Sequence, residues 1–429
     1  MKKIIAWLLL LALSVGLCGC GQNEKTAVET TEAQLERKMY ETEVIPVPDP
    51  MEYPDYTFEG TPTTDELRQM AVKAMLDQLN VQFTVGKFTY YQKSSGSISN
   101  KFFSYVPEVV YAGMPYTVGS SGLVQWMEFY DTETGRFAFP GTGEELDMTL
   151  GNSCAACVGS SWYAVCTSIS GQFSTYFMTP SNGCIPVGPY VSNDTISDFR
   201  QYTTDLICAD NGEQVMYESY AQMLPADALV SSPDVHAIMA IEAPTVVYNE
   251  DGTINGKEST VAIADQRGGN GDVFYIVEDE QGNELSYSGR AYYVYTFEEL
   301  WKLCYLPVTT AEFLGTKEYT APEIKFTETS GGKELISGTM ECNYPMRVIR
   351  VVLVDQDGER TLVDRVLLNN THVSSGKAYK MDTLQMNVSL TQAVVSGYMQ
   401  EGKTYSLCLE VAISNGENFT LAQVDGLTK

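Results

Sequence analysis

Histidine is almost absent from this chain of 429 residues, which carries only His236 and His372. A mechanism that needs a base titrating near neutral pH therefore has very little choice of residue. Basic side chains are scarce as well: 27 Lys plus Arg face 55 Asp plus Glu, and the net charge is −28. Polyanion binding needs a basic footprint, so nucleic acid is excluded as a general partner. Ten cysteines are too few for a disulfide scaffold in a chain of this length, and each has to be read singly. No internal repeat is visible. What is present is enough apolar material for a buried core, 44% hydrophobic and 11% aromatic with 27 Tyr, at a length that suits two or three domains.

Residues 1–20 begin Met1-Lys2-Lys3 and continue with the apolar stretch Ile4 to Leu17. That stretch falls short of the roughly 20 residues a membrane span needs, and with its basic start it reads as a signal peptide. Leu17-Cys18-Gly19-Cys20 resembles the bacterial lipobox. Cys20 is then the expected lipidation site, and the mature chain is expected outside the cytoplasm, anchored to the bacterial cell membrane through its N-terminal lipid. Residues 21–57 are rich in Glu and Thr and then in Pro (Pro46, Pro48, Pro50, Pro54), with little apolar periodicity, the pattern of a tether.

Further on, Leu67, Met70, Ala71, Ala74, Met75 and Leu79 recur at helical spacing after Thr64 or Asp65 as N-cap. Phe83 to Leu150 alternates aromatics with Gly and Pro, suggesting loops and short strands, and its acidic Gly-rich part from Phe129 onward reads as a lid or a surface excursion. Residues 153–166 read as a helix. His236 to Glu242 and Ser259 to Asp265 read as paired strands around the turn signal Asn249-Glu250-Asp251-Gly252. The order is α+β. Beyond Pro322 the texture is β: Arg347 to Asp355 and Thr361 to Leu368 flank Asp357-Gly358, and Thr404 to Ser414 precedes Asn415-Gly416 and Phe419 to Val424. Residues 322–429 are therefore expected to form an immunoglobulin-like sandwich. There Cys342 and Cys408 either bridge the sheets or stay as buried thiols, and His372 is a loop residue.

The chemistry gathers in the middle of the chain. A cysteine nucleophile acts as its thiolate, commonly beside a His and at a helix N-terminus, where the backbone dipoles favour an anion. Gly151-Asn152-Ser153-Cys154 places small turn-forming residues before a helix with Cys154 in its first turn. Cys157, one turn on, has lost most of that field and reads as packing or as a rival nucleophile. His236 starts an apolar strand after Ser232-Pro233-Asp234-Val235, and the next strand ends in Asp265-Gln266, a carboxylate and an amide either of which can hold the second ring nitrogen. Side chains alternate across a strand, so only one of the two faces the ring, and Asp265, which also stabilises an imidazolium, is the choice.

Gly113-Met114-Pro115-Tyr116-Thr117-Val118-Gly119 ahead of Cys154 resembles the Gly-x-Pro-Tyr-x-x-Gly segment of NlpC-like peptidases. His236 with its apolar strand and Ala264-Asp265-Gln266 is similar to the His-to-Glu-Gln stretch of CHAP-type amidases. The two families share a papain-like core, which implies a nucleophile helix packed on an antiparallel sheet over residues 58–318. The resemblance further implies Cys154 as nucleophile, His236 as base, Asp265 as third member in place of a family Glu, Tyr116 as the hydroxyl that helps hold the oxyanion, and Gln266 as a supporting residue. It implies neither metal nor other cofactor, and an amide substrate in peptidoglycan stem peptides or other peptides. Ser153-Cys154-Ala155 departs from the families' usual Asp-Cys-Ser, which leaves open a binding lipoprotein with a decayed site. Two further alternatives are a redox pair, Cys154-x-x-Cys157, and a metal site of Cys154, Cys157 and His236; both lack the surrounding motif such sites carry. The sequence names no partner for the C-terminal β module.

Overall fold

A computed structural model describes residues 51–87, 89–92, 102–107, 109–116, 122–139, 150–169, 184–192, 203–266, 274–278, 284–288, 290–329, 334–368 and 386–429. The signal peptide, Cys20, most of the tether and His372 lie outside them. The chain is mixed α+β, with mostly antiparallel sheets. Among the described residues no helix is long and apolar enough to cross a membrane.

The first helix, Thr64–Asn80, is capped one residue earlier than the sequence pattern suggests. The cap is Thr63, because Glu66, three positions on, reaches back to its backbone N–H (2.7 Å) while the Thr63 hydroxyl accepts from the Glu66 N–H (3.2 Å). Leu67, Ala71, Ala74, Met75 and Leu79 bury one face of this helix against the Cys154–Tyr163 helix. That second helix is buried at all ten positions, its two polar side chains, Ser160 and Ser161, being hydrogen-bonded inside the core. Both belong to a core built on a six-stranded antiparallel sheet of order 290–296, 260–266, 236–240, 228–231, 306–309 and 185–186. In this sheet Ala228–Ser231 and His236–Ala240 form a hairpin with Ser231 opposite His236, and Ile263 of the Thr260–Gln266 strand pairs with Ala240.

A second six-stranded sheet contains Gln82–Val85 between Val110–Ala112 and Arg136–Phe137. Phe83 is its hub, with the rings of Tyr105, Tyr111, Trp126 and Phe137 at centroid distances of 5.2 to 5.8 Å. Aromatic pairs of this kind add stabilisation beyond their buried area.

The C-terminal region has a three-stranded sheet (324–328, 334–342, 386–391) and a four-stranded one (360–367, 346–355, 404–413, 418–428), whose inner faces share one apolar core. Cys342 lines that core, whereas Cys408 lies outside it with its thiol toward Gln423 (3.8 Å); both are free thiols, so no bridge joins the sheets. The outer face of the four-stranded sheet is covered at its two central strands. Val348 and Ala412 pack on Val124, Arg350 forms an ion pair with Glu128, and Ser414 donates to the carbonyl of Tyr163 (2.7 Å). The end of the expected tether is part of this junction. Tyr56 is buried, its N–H donates to the Asn415 carbonyl (2.8 Å), and its hydroxyl donates to Asp77 (3.2 Å).

Candidate active site

Cys154 is the first residue of its helix, and Ser153 is the N-cap, its hydroxyl accepting from the N–H of Ala156 (3.4 Å). Upstream, Gly151 takes φ +131°, in the region a side chain disfavours, and lets the chain turn into the helix. Asn152 is wholly buried and fixed in two ways: its N–H donates to the Pro115 carbonyl (3.1 Å) as part of a backbone bridge to Tyr116, and its side-chain amide donates to Gln78 Oε1. Gln78 also donates to Ser161 Oγ (2.9 Å) and to the Cys157 carbonyl (3.3 Å). The first helix thereby holds the helix that carries the nucleophile in register.

Tyr116 arrives from the second sheet. The Val110–Ala112 strand ends at Gly113, whose φ of +84° bends the chain so that the N–H groups of Gly113 and Met114 donate to the carbonyls of Val81 (2.9 Å) and Gln78 (2.8 Å). The Tyr116 hydroxyl then lies 4.0 Å from Cys154 Sγ, toward which it donates. Burial, with Cys154 as the next cause, pushes the Tyr116 hydroxyl far up, so it stays protonated and able to donate.

His236 is buried at the start of its strand, and its Nε2 is 2.7 Å from Asp265 Oδ1, a residue with no exposed surface. That leaves Nδ1 for Cys154, whose sulfur is near enough to act on the charge of the ring. The expectation that only one of Asp265 and Gln266 reaches the ring is met: the Gln266 amide donates instead to the Met114 carbonyl (2.9 Å), tying the strand to the Tyr116 segment.

The electrostatics follow from this crowding. Burial alone drives the imidazole toward its neutral form, but the Asp265 carboxylate and the Cys154 sulfur beside it win, and the imidazolium persists to about 10. Burial likewise opposes a Cys154 thiolate, yet the charge and hydrogen bond of His236 and the N–H of Ala237 together bring this thiol below its ordinary value. Cys157, one turn on and without exposed surface, goes the other way. Burial and then the neighbouring Cys154 push its thiol well up, and it packs 3.4 Å from the sulfur of Met75. It is a core residue. Among the described residues no cluster of three or more His, Cys, Asp or Glu is arranged to hold a metal ion.

Two contributors had no distinctive signal in the sequence. Val235 takes φ +48°, rare for a β-branched residue, and its carbonyl lies 4.0 Å from Cys154 Sγ. The turn that imposes this conformation is held by Asp234, which accepts from the Tyr305 hydroxyl (2.8 Å) and whose N–H donates to Ser231 Oγ (3.2 Å). Gln78 sits in an ordinary amphipathic helix, and only the fold shows that it faces Asn152.

No family model, curated protein or solved structure matches this chain.

Proposed function

We propose that the chain is a membrane-anchored, extracytoplasmic cysteine hydrolase of papain-like fold that cleaves amide bonds in peptidoglycan stem peptides. The observation that carries this reading is the buried relay Cys154, His236, Asp265, with the imidazole fixed at 2.7 Å by a carboxylate and the sulfur at a helix N-terminus. Thiolate and imidazolium are the charge states that nucleophilic attack requires. Cys154 adds to the amide carbonyl, and the developing oxyanion meets the Tyr116 hydroxyl, which already stands beside the sulfur, and the Cys154 N–H at the helix start. His236 gives its Nδ1 proton to the leaving amine. The thioester that remains is hydrolysed by a water from which the now neutral His236 takes a proton, while Asp265 holds the ring in the required tautomer.

In this account the C-terminal region is an immunoglobulin-like sandwich, and Cys20 bears the lipid. The sandwich docks at Tyr163, the end of the helix opposite Cys154, which leaves the nucleophile's end to the substrate. The test is digestion of purified peptidoglycan by the chain beside its Cys154→Ala variant, with released fragments read by mass spectrometry. Fragments that disappear in the variant establish the reaction and the bond. Silence from both proteins favours the alternative, a binding lipoprotein with a decayed site, to which Ser153-Cys154-Ala155 points.

A further inference from the structure

Two side-chain-bearing residues, Val235 (φ +48°) and Cys304 (φ +55°), hold left-handed backbone on two segments that are bonded to one another. Such conformations cost free energy and persist where the surroundings impose them. Around Val235 the surroundings are hydrogen bonds. Its N–H donates to the Ser232 carbonyl (3.2 Å), the Asp234 N–H donates to Ser231 Oγ (3.2 Å), and Ser232 exchanges bonds with Thr204 at 2.9 and 3.4 Å. Cys304 closes the Phe297–Lys302 helix: its N–H donates to the Trp301 carbonyl (2.9 Å) and the Tyr305 N–H to the Leu300 carbonyl (2.9 Å), a helix ending in which glycine is usual at this position. That ending turns two groups onto the segment leading to His236. The Leu303 carbonyl accepts from Ser231 Oγ (2.7 Å), and the Tyr305 hydroxyl donates to Asp234 Oδ2 (2.8 Å). Other buried tyrosines of this core behave differently. The hydroxyls of Tyr220 and Tyr190 donate to backbone carbonyls, those of Tyr305 (2.7 Å) and Pro307 (3.0 Å), whereas the Tyr305 hydroxyl reaches a side chain two residues before the base.

We propose that Tyr305 is a positioning residue for the hydrolysis: its hydroxyl, through Asp234, keeps Val235 left-handed and so sets the start of the His236 strand against Cys154. The inference rests on the relay proposed above, and it gives Tyr305 no contact with the reacting atoms. The Val235 carbonyl lies 4.0 Å from Cys154 Sγ, so the peptide that Asp234 steadies is the one between the sulfur and the base. Without the hydroxyl, Val235 relaxes toward the β region that a β-branched residue prefers, and the peptide leading into His236 swings with it. The ring itself stays tied to Asp265 at Nε2. The loss therefore falls on the side of the ring that faces Cys154, and less of the sulfur is thiolate at a given pH.

The test is the rate at which iodoacetamide labels Cys154 across pH, read by peptide mapping on the full chain in detergent. It compares the parent with Tyr305→Phe, Asp234→Ala, the double variant and Tyr190→Phe. The expected result is a rate at about pH 6 lowered about 10-fold or more in Tyr305→Phe and in Asp234→Ala. The double variant should be no slower than the slower single one, because both changes cut the same bond. Tyr190→Phe removes a buried hydroxyl from the same core without touching the turn, and should label as the parent does. Asp234 is only half-buried, so its variant carries the test if the Tyr305 change prevents folding. Parent-like labelling of Tyr305→Phe or, where that chain does not fold, of Asp234→Ala overturns the inference. Additive losses in the double variant overturn it too, as does an equal loss in Tyr190→Phe, the mark of a general loosening of the core. A parent that itself labels slowly at pH 6 overturns the relay and this inference with it, whereas a fast parent beside an equally fast Tyr305→Phe overturns this inference alone.

Discussion

The two β regions of this chain bury their side chains in different ways. In the sheet that carries the site, His236–Ala240 is buried at every position, and Thr260–Gln266 at every position after its first. In the C-terminal region, Glu334–Cys342 runs from an exposed Glu334 into alternating half-buried and buried positions and Asn418–Thr428 has no fully buried residue, while only the central strands, such as Met346–Asp355, approach full burial. A sheet partly open to water tolerates polar side chains freely. A sheet covered on both faces tolerates them only with partners, because an unpaired buried polar group costs free energy. His236, Asp265 and Gln266 are the buried polar residues of those two site strands; the first two pair with each other, and Gln266 is held through its Nε2 alone, its Oε1 being buried without a partner. The difference shows where chemistry is concentrated: titratable groups are forced together in the first region and laid out along a surface or a junction in the second.

Substitutions sharpen this contrast. The largest effect is expected from His236→Ala, which removes both the proton donor and the charge that keeps Cys154 ionised. Hydrolysis should fall by about 10⁴ to 10⁶-fold, and iodoacetamide should no longer label Cys154 quickly at about pH 6, well below the range in which a free thiol ionises. Asp265→Asn keeps the shape but loses the carboxylate that holds the imidazolium, and a drop of about 10² to 10⁴-fold in turnover is expected from steady-state rates. Asp265 also links the site to stability. The folded imidazole keeps its proton up to about 10, against roughly 6.5 in an unfolded chain. The stability contributed by this pairing is therefore fully present below about pH 6.5 and is lost as pH rises through about 10, a trend that denaturant midpoints across that range can check.

Glu128→Ala acts at the junction with the other region. It strips Arg350 of its ion pair and removes a carboxylate close to Arg365. A loss of about 1–3 kcal/mol in denaturant unfolding is expected, with the labelling rate of Cys154 unchanged. If that rate fell, the two regions would be coupled in a way the comparison denies. The smallest effect is expected from Cys157→Ala, about 0.5–2 kcal/mol of stability and no change in the reactivity of its neighbour, because its thiol is pushed up by burial and serves only packing.

These residues also explain what could be read from the sequence. His236 and Asp265 were legible because a charged or titratable side chain interrupting an apolar strand has few roles, and because strand alternation allowed only one of Asp265 and Gln266 to face the ring. Cys154 was legible from the small turn-forming residues before it, which a helix start requires. Gln78 was not, since an amide in an amphipathic helix looks the same whether it meets water or Asn152. The relation of Cys342 to Cys408 was not legible either: a shift of one position along a strand turns a residue from the core to the outer face, and pattern alone did not fix that parity. The residues at the end of the tether gave no sign that Tyr56 would be buried against the first helix and hydrogen-bonded to the C-terminal region, since such docking depends on surfaces far apart in the chain.

The account's central claim is that Cys154 and His236 exist as thiolate and imidazolium, and the alkylation rate of Cys154 against pH tests it most directly, with peptide mapping to separate this thiol from the others. The account predicts that the rate is already high well below the ordinary thiol range of about 8.5, stays on a plateau, and changes again only near 10, where the imidazole gives up its proton. A single rise centred at or above about 8.5, indistinguishable from that of a free cysteine, would contradict it.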